Sequence, residues 1–258
     1  MGKVNIQDVI QDLASTQREK REAAIRQILV RRKEAAPELL KVLELVKAVP
    51  LGAPVALNDW SWFLAAYLLA QFGEKAALPI LIEQFSMPPT HIERVFKDIL
   101  TEDLPRLLAT LAADNPAPLK GLVENRDIHE SVRASALWGY TILGTTGSVP
   151  LGEATAYFSA LFTGGLERTP SQVWPTLIAS CAVVHALHLK EDILAAYHEE
   201  LADPSAYPWK EVEREWSLDP ERSLKLLAEE SGGLIRDVWE EMEYWPWTEE
   251  AGQQAQEE

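Results

Sequence analysis

Apolar residues recur along nearly the whole chain at three- and four-residue spacing, and no stretch sustains the strict alternation of a half-buried strand. Runs such as WSWFLAAYLLAQF, EDLPRLLATLAA and KEDILAAYHEEL predict amphipathic or buried helices separated by short polar connections. Several boundaries are written into the sequence. Thr90 and Glu93 make a capping box in THIE, Asn58 and Asp59 precede WSWFLAAYLLAQF, and Asp219-Pro220 sets a cap before a first-turn proline. The pattern predicts an all-α fold.

Two of these helices share a design. FLAAYLLAQFG at 63–73 and ASALWGYTILG at 134–144 align on Ala65, Ala66, Tyr67 and Gly73 against Ala136, Leu137, Trp138 and Gly144. Glycine can take the left-handed conformation that ends a helix, so both Gly73 and Gly144 are expected to be terminators. Each copy is followed by a second amphipathic helix. EDLPRLLATLAA with APLKGLVEN, and SQVWPTLIASCAVVHAL with KEDILAAYHEEL, look like further pairs. A unit of roughly 34 to 44 residues holding two antiparallel helices is the period of stacked helical repeats. The expected architecture is HEAT-like antiparallel helix-pair repeats forming a short α-solenoid. It would be one domain over 1–248, with an opening repeat of two helices at 1–48, repeats over 59–203, capping helices at 204–248 and a disordered acidic tail at 249–258.

Charge sharpens this picture. The net charge is -16, yet residues 190–258 carry 20 acidic and 6 basic side chains, while residues 1–189 carry 20 acidic and 18 basic. Acidity is therefore concentrated toward the C terminus, and the segment RQILVRRK near the N terminus is locally basic. The acidic excess repels phosphate backbones and argues against non-specific nucleic-acid binding. MGKVNIQDVIQDL has no apolar stretch of signal-peptide length, and no segment approaches the roughly 18 apolar residues of a membrane span. With Cys181 as the single cysteine, no intrachain disulfide can form. These features lead us to expect a cytoplasmic chain without a membrane partner.

MPPTHIERVFKDILTEDLPRLLATL, ENRDIHESVRASAL, ADPSAYPWKEVEREW and LIRDVWEEMEYW, taken in order and spacing, resemble the bacterial family called domain of unknown function 1186. The likeness runs from about residue 60 to residue 247. It implies an all-helical repeat fold with no assigned activity. Many members of that family carry a cysteine-rich SEC-C metal-binding segment at the C terminus. This chain has no cysteine after Cys181, so neither that segment nor any function tied to it carries over.

Candidate chemistry is sparse. Cys181, His185 and His188 follow i, i+4, i+7 spacing on a helix expected over Ser171 to Leu187, a soft-ligand set that suits zinc, with His198 or Glu191 as a fourth ligand. The competing reading of Cys181 is a small buried hydrophobe. GTTGSVPLG lacks the lysine and the preceding strand of a phosphate-binding loop and reads as a turn. Paired carboxylates, including Glu102-Asp103 and Glu240-Glu241, read as solvated surface acids. Trp239 is expected to pack inside a capping helix. Tyr244, Trp245 and Trp247, with Glu241 beside them, form an aromatic-acidic group of the kind that meets protein partners.

Repeat stacks make extended surfaces more readily than deep catalytic pockets, so the sequence points to a non-catalytic protein-protein interaction scaffold that needs no cofactor and binds another protein. The alternative is an enzyme whose site the sequence does not reveal, with metal at Cys181, His185 and His188 as one form of it. A third reading is a nucleic-acid-binding repeat that uses Arg31, Arg32 and Lys33.

Overall fold

The computed structural model describes residues 4–45, 61–90, 92, 99–230, 233–243 and 245. Among these, fourteen α-helices and no strand are present. The N-terminal part contains α1 (Ile6–Gln11), α2 (Arg18–Val30) and α3 (Arg32–Leu45). The middle of the chain contains α4 (Ser61–Phe72), α5 (Ala77–Phe85), α6 (Ile99–Leu111), α7 (Ala117–Glu124), α8 (Glu130–Thr145), α9 (Leu151–Ala160), α10 (Val173–Val183) and α11 (Lys190–His198). The remaining helices are α12 (Trp209–Ser217), α13 (Pro220–Glu230) and α14 (Val238–Met242). The expected pair of opening helices is thus three, because a 3-10 turn at Asp12–Ala14 separates α1 from α2.

Packing follows the chain. The helices α3, α4, α6, α8, α10 and α12 each lie against the next one named, while α5, α7 and α9 pack beside them. The helix α13 lies on α8 and α10, and α14 lies on α4. Alanine, leucine and aromatic residues fill the shared core, with Trp174, Tyr67, Tyr140, Phe85 and Phe158 fully buried. No helix among the described residues is long and apolar enough to cross a membrane.

Polar residues inside this core tie neighbouring helices together. The Trp62 indole N–H donates to the Gln84 side chain at 3.2 Å, and the Gln84 amide donates to the Leu43 carbonyl, so one buried glutamine joins α3, α4 and α5. The Thr141 hydroxyl donates to Ser180 at 2.7 Å and couples α8 to α10. Arg133 is almost fully buried, donates to the Val123 carbonyl at 2.9 Å, and grips the Glu167 carboxylate with both terminal nitrogens. Such groups are costly to bury unpaired, so their partners fix how the helices sit against one another.

The two glycines of the shared helix design do different work. Gly73 adopts φ 63 after α4, and Glu74 N–H donates back to the Leu69 carbonyl at 2.9 Å, closing the helix as expected. Gly144 instead lies inside α8, and the left-handed residue is Gly147 at φ 78. A Cβ on Gly144 would stand 3.2 Å from the Ala154 Cβ, so this glycine serves the close approach of α9. At the start of α13 the expected cap is present: Asp219 accepts from the Arg222 N–H at 2.9 Å, with Pro220 in the first turn. The capping-box residue Glu93, the pair Asn58 and Asp59, and the tail 249–258 lie outside the described residues.

Candidate functional site

The two helices α4 and α6 present adjoining stripes of aromatic and polar residues. On α4, Phe63, Tyr67 and Gln71 recur every fourth residue, and on α6, Asp103, Arg106 and Thr110 recur at three and four, so each set shares one helix face. Across these stripes runs the chain's own segment 233–245, of which residues 233–243 and 245 are described. Its backbone is read by side chains: Ile235 N–H donates to the Thr110 hydroxyl at 2.9 Å, and Val238 N–H donates to the Gln71 carbonyl oxygen at 3.0 Å. Arg106 donates through Nε to the Gly233 carbonyl at 3.3 Å and through both terminal nitrogens to Glu241, one of them at 2.6 Å.

The segment is shaped to lie there. Asp237 caps α14 by accepting from Trp239 N–H at 3.0 Å, and this short helix turns Val238, Glu241 and Met242 inward. Trp245 inserts its ring edge-on against Phe63 and Tyr67, with centroids 4.6 and 4.8 Å away. Trp239 is half-buried under the Arg26 guanidinium of α2, 5.3 Å from the ring centroid. Edge-to-face rings and cation–π contacts of this kind each contribute up to about 1 kcal/mol beyond the area they bury.

Beneath the segment, Tyr67 donates its hydroxyl to Asp103. Burial, and next the nearby Asp103 carboxylate, push the Tyr67 phenol well above its ordinary range. Burial also raises the Asp103 carboxyl to about 6. The Tyr67 hydrogen bond and Arg106 oppose that rise, while Glu102 and Glu241 add to it. Burial on its own would lower the Arg106 guanidinium, but the paired Glu241 outweighs it and holds the group above its usual value. With side chains only 17% and 10% exposed, Arg106 and Glu241 form an ion pair largely withdrawn from water.

Residues 4–249 match the family described as Protein of unknown function (DUF1186). The chain belongs to this family. The match includes the opening helices as well as the stretches that first suggested it. Proteins of Chlamydia muridarum and Chlamydia trachomatis serovar D, both described as "Uncharacterized protein", are each 33% identical to this DUF1186 chain over 245 residues, covering 93% of it and 94% of their own length. No solved structure matches the DUF1186 chain.

Of the aromatic-acidic group singled out in the DUF1186 sequence, Glu241 and Trp245 are brought together on the α4–α6 face, facing inward onto it. Tyr244 and Trp247 lie outside the described residues. The expectation that Glu102-Asp103 and Glu240-Glu241 are solvated pairs needs correction, because the second member of each is packed against Tyr67 or Arg106.

The stacked Cys181, His185 and His188 set is corrected too. The α10 helix stops at Val183, short of the expected Leu187, and His185 adopts φ 53 in the turn that follows. His188 then falls in an exposed 3-10 turn, while Cys181 faces the core and burial pushes its thiol up. Among the described residues, no group of three or more His, Cys, Asp or Glu side chains is placed to hold a metal ion. Gln71, Arg106 and Thr110 escaped the sequence reading, and Tyr67 and Asp103 entered it only as part of a shared helix design and as a surface acid. Their only signal was three-and-four spacing of polar groups on otherwise apolar helices.

Proposed function

We propose that this protein is a HEAT-like helical-repeat scaffold, a short α-solenoid of one domain, that binds another protein through the face containing α4 and α6. The observation that carries this reading is the seating of segment 233–245 on that face, held by side-chain acceptors for its backbone, a buried cation for its carboxylate and an aromatic slot for its tryptophan. A surface that accepts one short segment in this way has the components of peptide recognition. The succession α3, α4, α6, α8, α10 and α12, each against the next, supports the stacked-repeat architecture, since solenoid units contact mainly their neighbours.

Photo-crosslinking tests it. A crosslinkable residue placed at Glu243, exposed on the outer side of the seated segment, is expected to capture a defined protein in cells, and the same residue at Ser86, exposed after α5, is expected not to. Absence of any specific adduct at Glu243 would overturn the reading.

A further inference from the structure

We infer that the α4–α6 face is a recognition groove for an acidic-aromatic segment of a partner protein, one carrying a carboxylate four residues before a tryptophan, and that residues 233–245 occupy it as a resident competitor. The inference rests on the scaffold reading and gives its partner a chemistry.

The groove divides its work between two kinds of contact. Gln71 and Thr110 accept from backbone N–H groups, a contact any non-proline residue can make, so they register the main chain without selecting its sequence. Selection falls to the other two elements. Arg106 is largely buried and cannot lose its charge, and the nearby Asp103 is engaged by the Tyr67 hydroxyl, so an anion brought over Arg106 is favoured. Phe63 and Tyr67 form a slot filled by one indole. Glu241 and Trp245 answer these two demands at a spacing of four, Glu241 from within α14 and Trp245 from the turn that follows it.

A partner segment with the same spacing meets the same contacts. It must, however, displace a competitor tethered to the groove, whose effective concentration is on the order of millimolar for a flexible connection. The intact chain should therefore bind such a segment weakly, and a chain whose own segment is weakened should bind it more tightly.

The probe is a fluorescein-labelled peptide of residues 233–247, followed by polarisation with the full-length chain. Glu241→Ala, which weakens the resident segment and keeps Arg106, is expected to bind the peptide at least tenfold more tightly than the unaltered chain. Trp245→Ala should do likewise and serves if the first variant does not fold by circular dichroism. In the Glu241→Ala background, or the Trp245→Ala background if needed, adding Arg106→Glu should abolish binding of the natural peptide and create binding of a peptide with Glu241→Lys. A folding defect cannot produce that exchange. Folded variants that bind no better than the unaltered chain, or binding indifferent to Arg106→Glu, would overturn the inference. If the Glu243 crosslinks persisted in that case, the scaffold reading would stand and its partner would use other chemistry.

Discussion

Asp103 is where protonation and packing meet. Its carboxyl is raised from 3.8 to about 6, first by burial, so the folded chain holds this proton more tightly than the unfolded chain does. Its contribution to stability is fully present below the unfolded value and is lost as pH rises through about 6. Asp103→Asn keeps an acceptor for the Tyr67 hydroxyl without the charge. The variant is expected to be more stable at pH 7.5, by on the order of 1 to 3 kcal/mol, with little difference near pH 4. Urea denaturation at the two pH values checks this, and an unchanged difference between them would refute it. Arg133 behaves in the opposite sense, because its charge is fully paired. Arg133→Ala leaves the Glu167 carboxylate with only the more distant Arg126 Nε at 3.8 Å and should cost about 3 kcal/mol, whereas replacing both Arg133 and Glu167 with leucine should restore much of the loss, as urea denaturation would read.

At the scale of elements, the helices meet closely at particular glycines. A Cβ on Gly139 would stand 2.8 Å from the Pro105 carbonyl oxygen, a backbone atom of α6 that cannot swing away. Gly139→Ala gains about 1 kcal/mol of helix propensity and loses about 1 to 3 kcal/mol to overpacking, so it should destabilise. Gly121, within α7, has nothing within 4 Å of such a Cβ, and Gly121→Ala should stabilise by up to about 1 kcal/mol. Opposite shifts in melting temperature for these two variants are the expected result.

The same contrast explains what could be read in advance. Helix positions followed from apolar spacing, and Gly73 from its place after the run, but Gly144 sits after an equally good run and continues the helix. Only the nearby Ala154 tells the two apart. His185 likewise looks helical until the backbone turns at φ 53. Asp103 and Glu102 are adjacent acids on one helix, and their difference lies in Tyr67, 36 positions away from Asp103.

At the scale of the molecule, the segment 233–245 joins parts of the chain that sequence proximity never links. Arg106 meets Glu241 across 135 positions, and Gln71 meets Val238 across 167. These contacts should open as a unit when one anchor is lost. In Glu241→Ala, hydrogen exchange of the Ile235 and Val238 amides is expected to rise at least tenfold, with the α8 and α10 amides unchanged. Uniform acceleration throughout the chain would instead mean that the segment is part of one cooperative core.

That long reach bears on how the protein is made. Contacts along the helix row are short-range and can form as each helix emerges, whereas closure over more than a hundred positions waits for distant residues to arrive. During synthesis Phe63, Tyr67 and Arg106 are complete long before Glu241 and Trp245 exist. Every nascent chain therefore passes through an interval in which an aromatic slot and a partly desolvated cation stand uncovered, and that interval is when a chaperone or a neighbouring nascent chain has its best access to them.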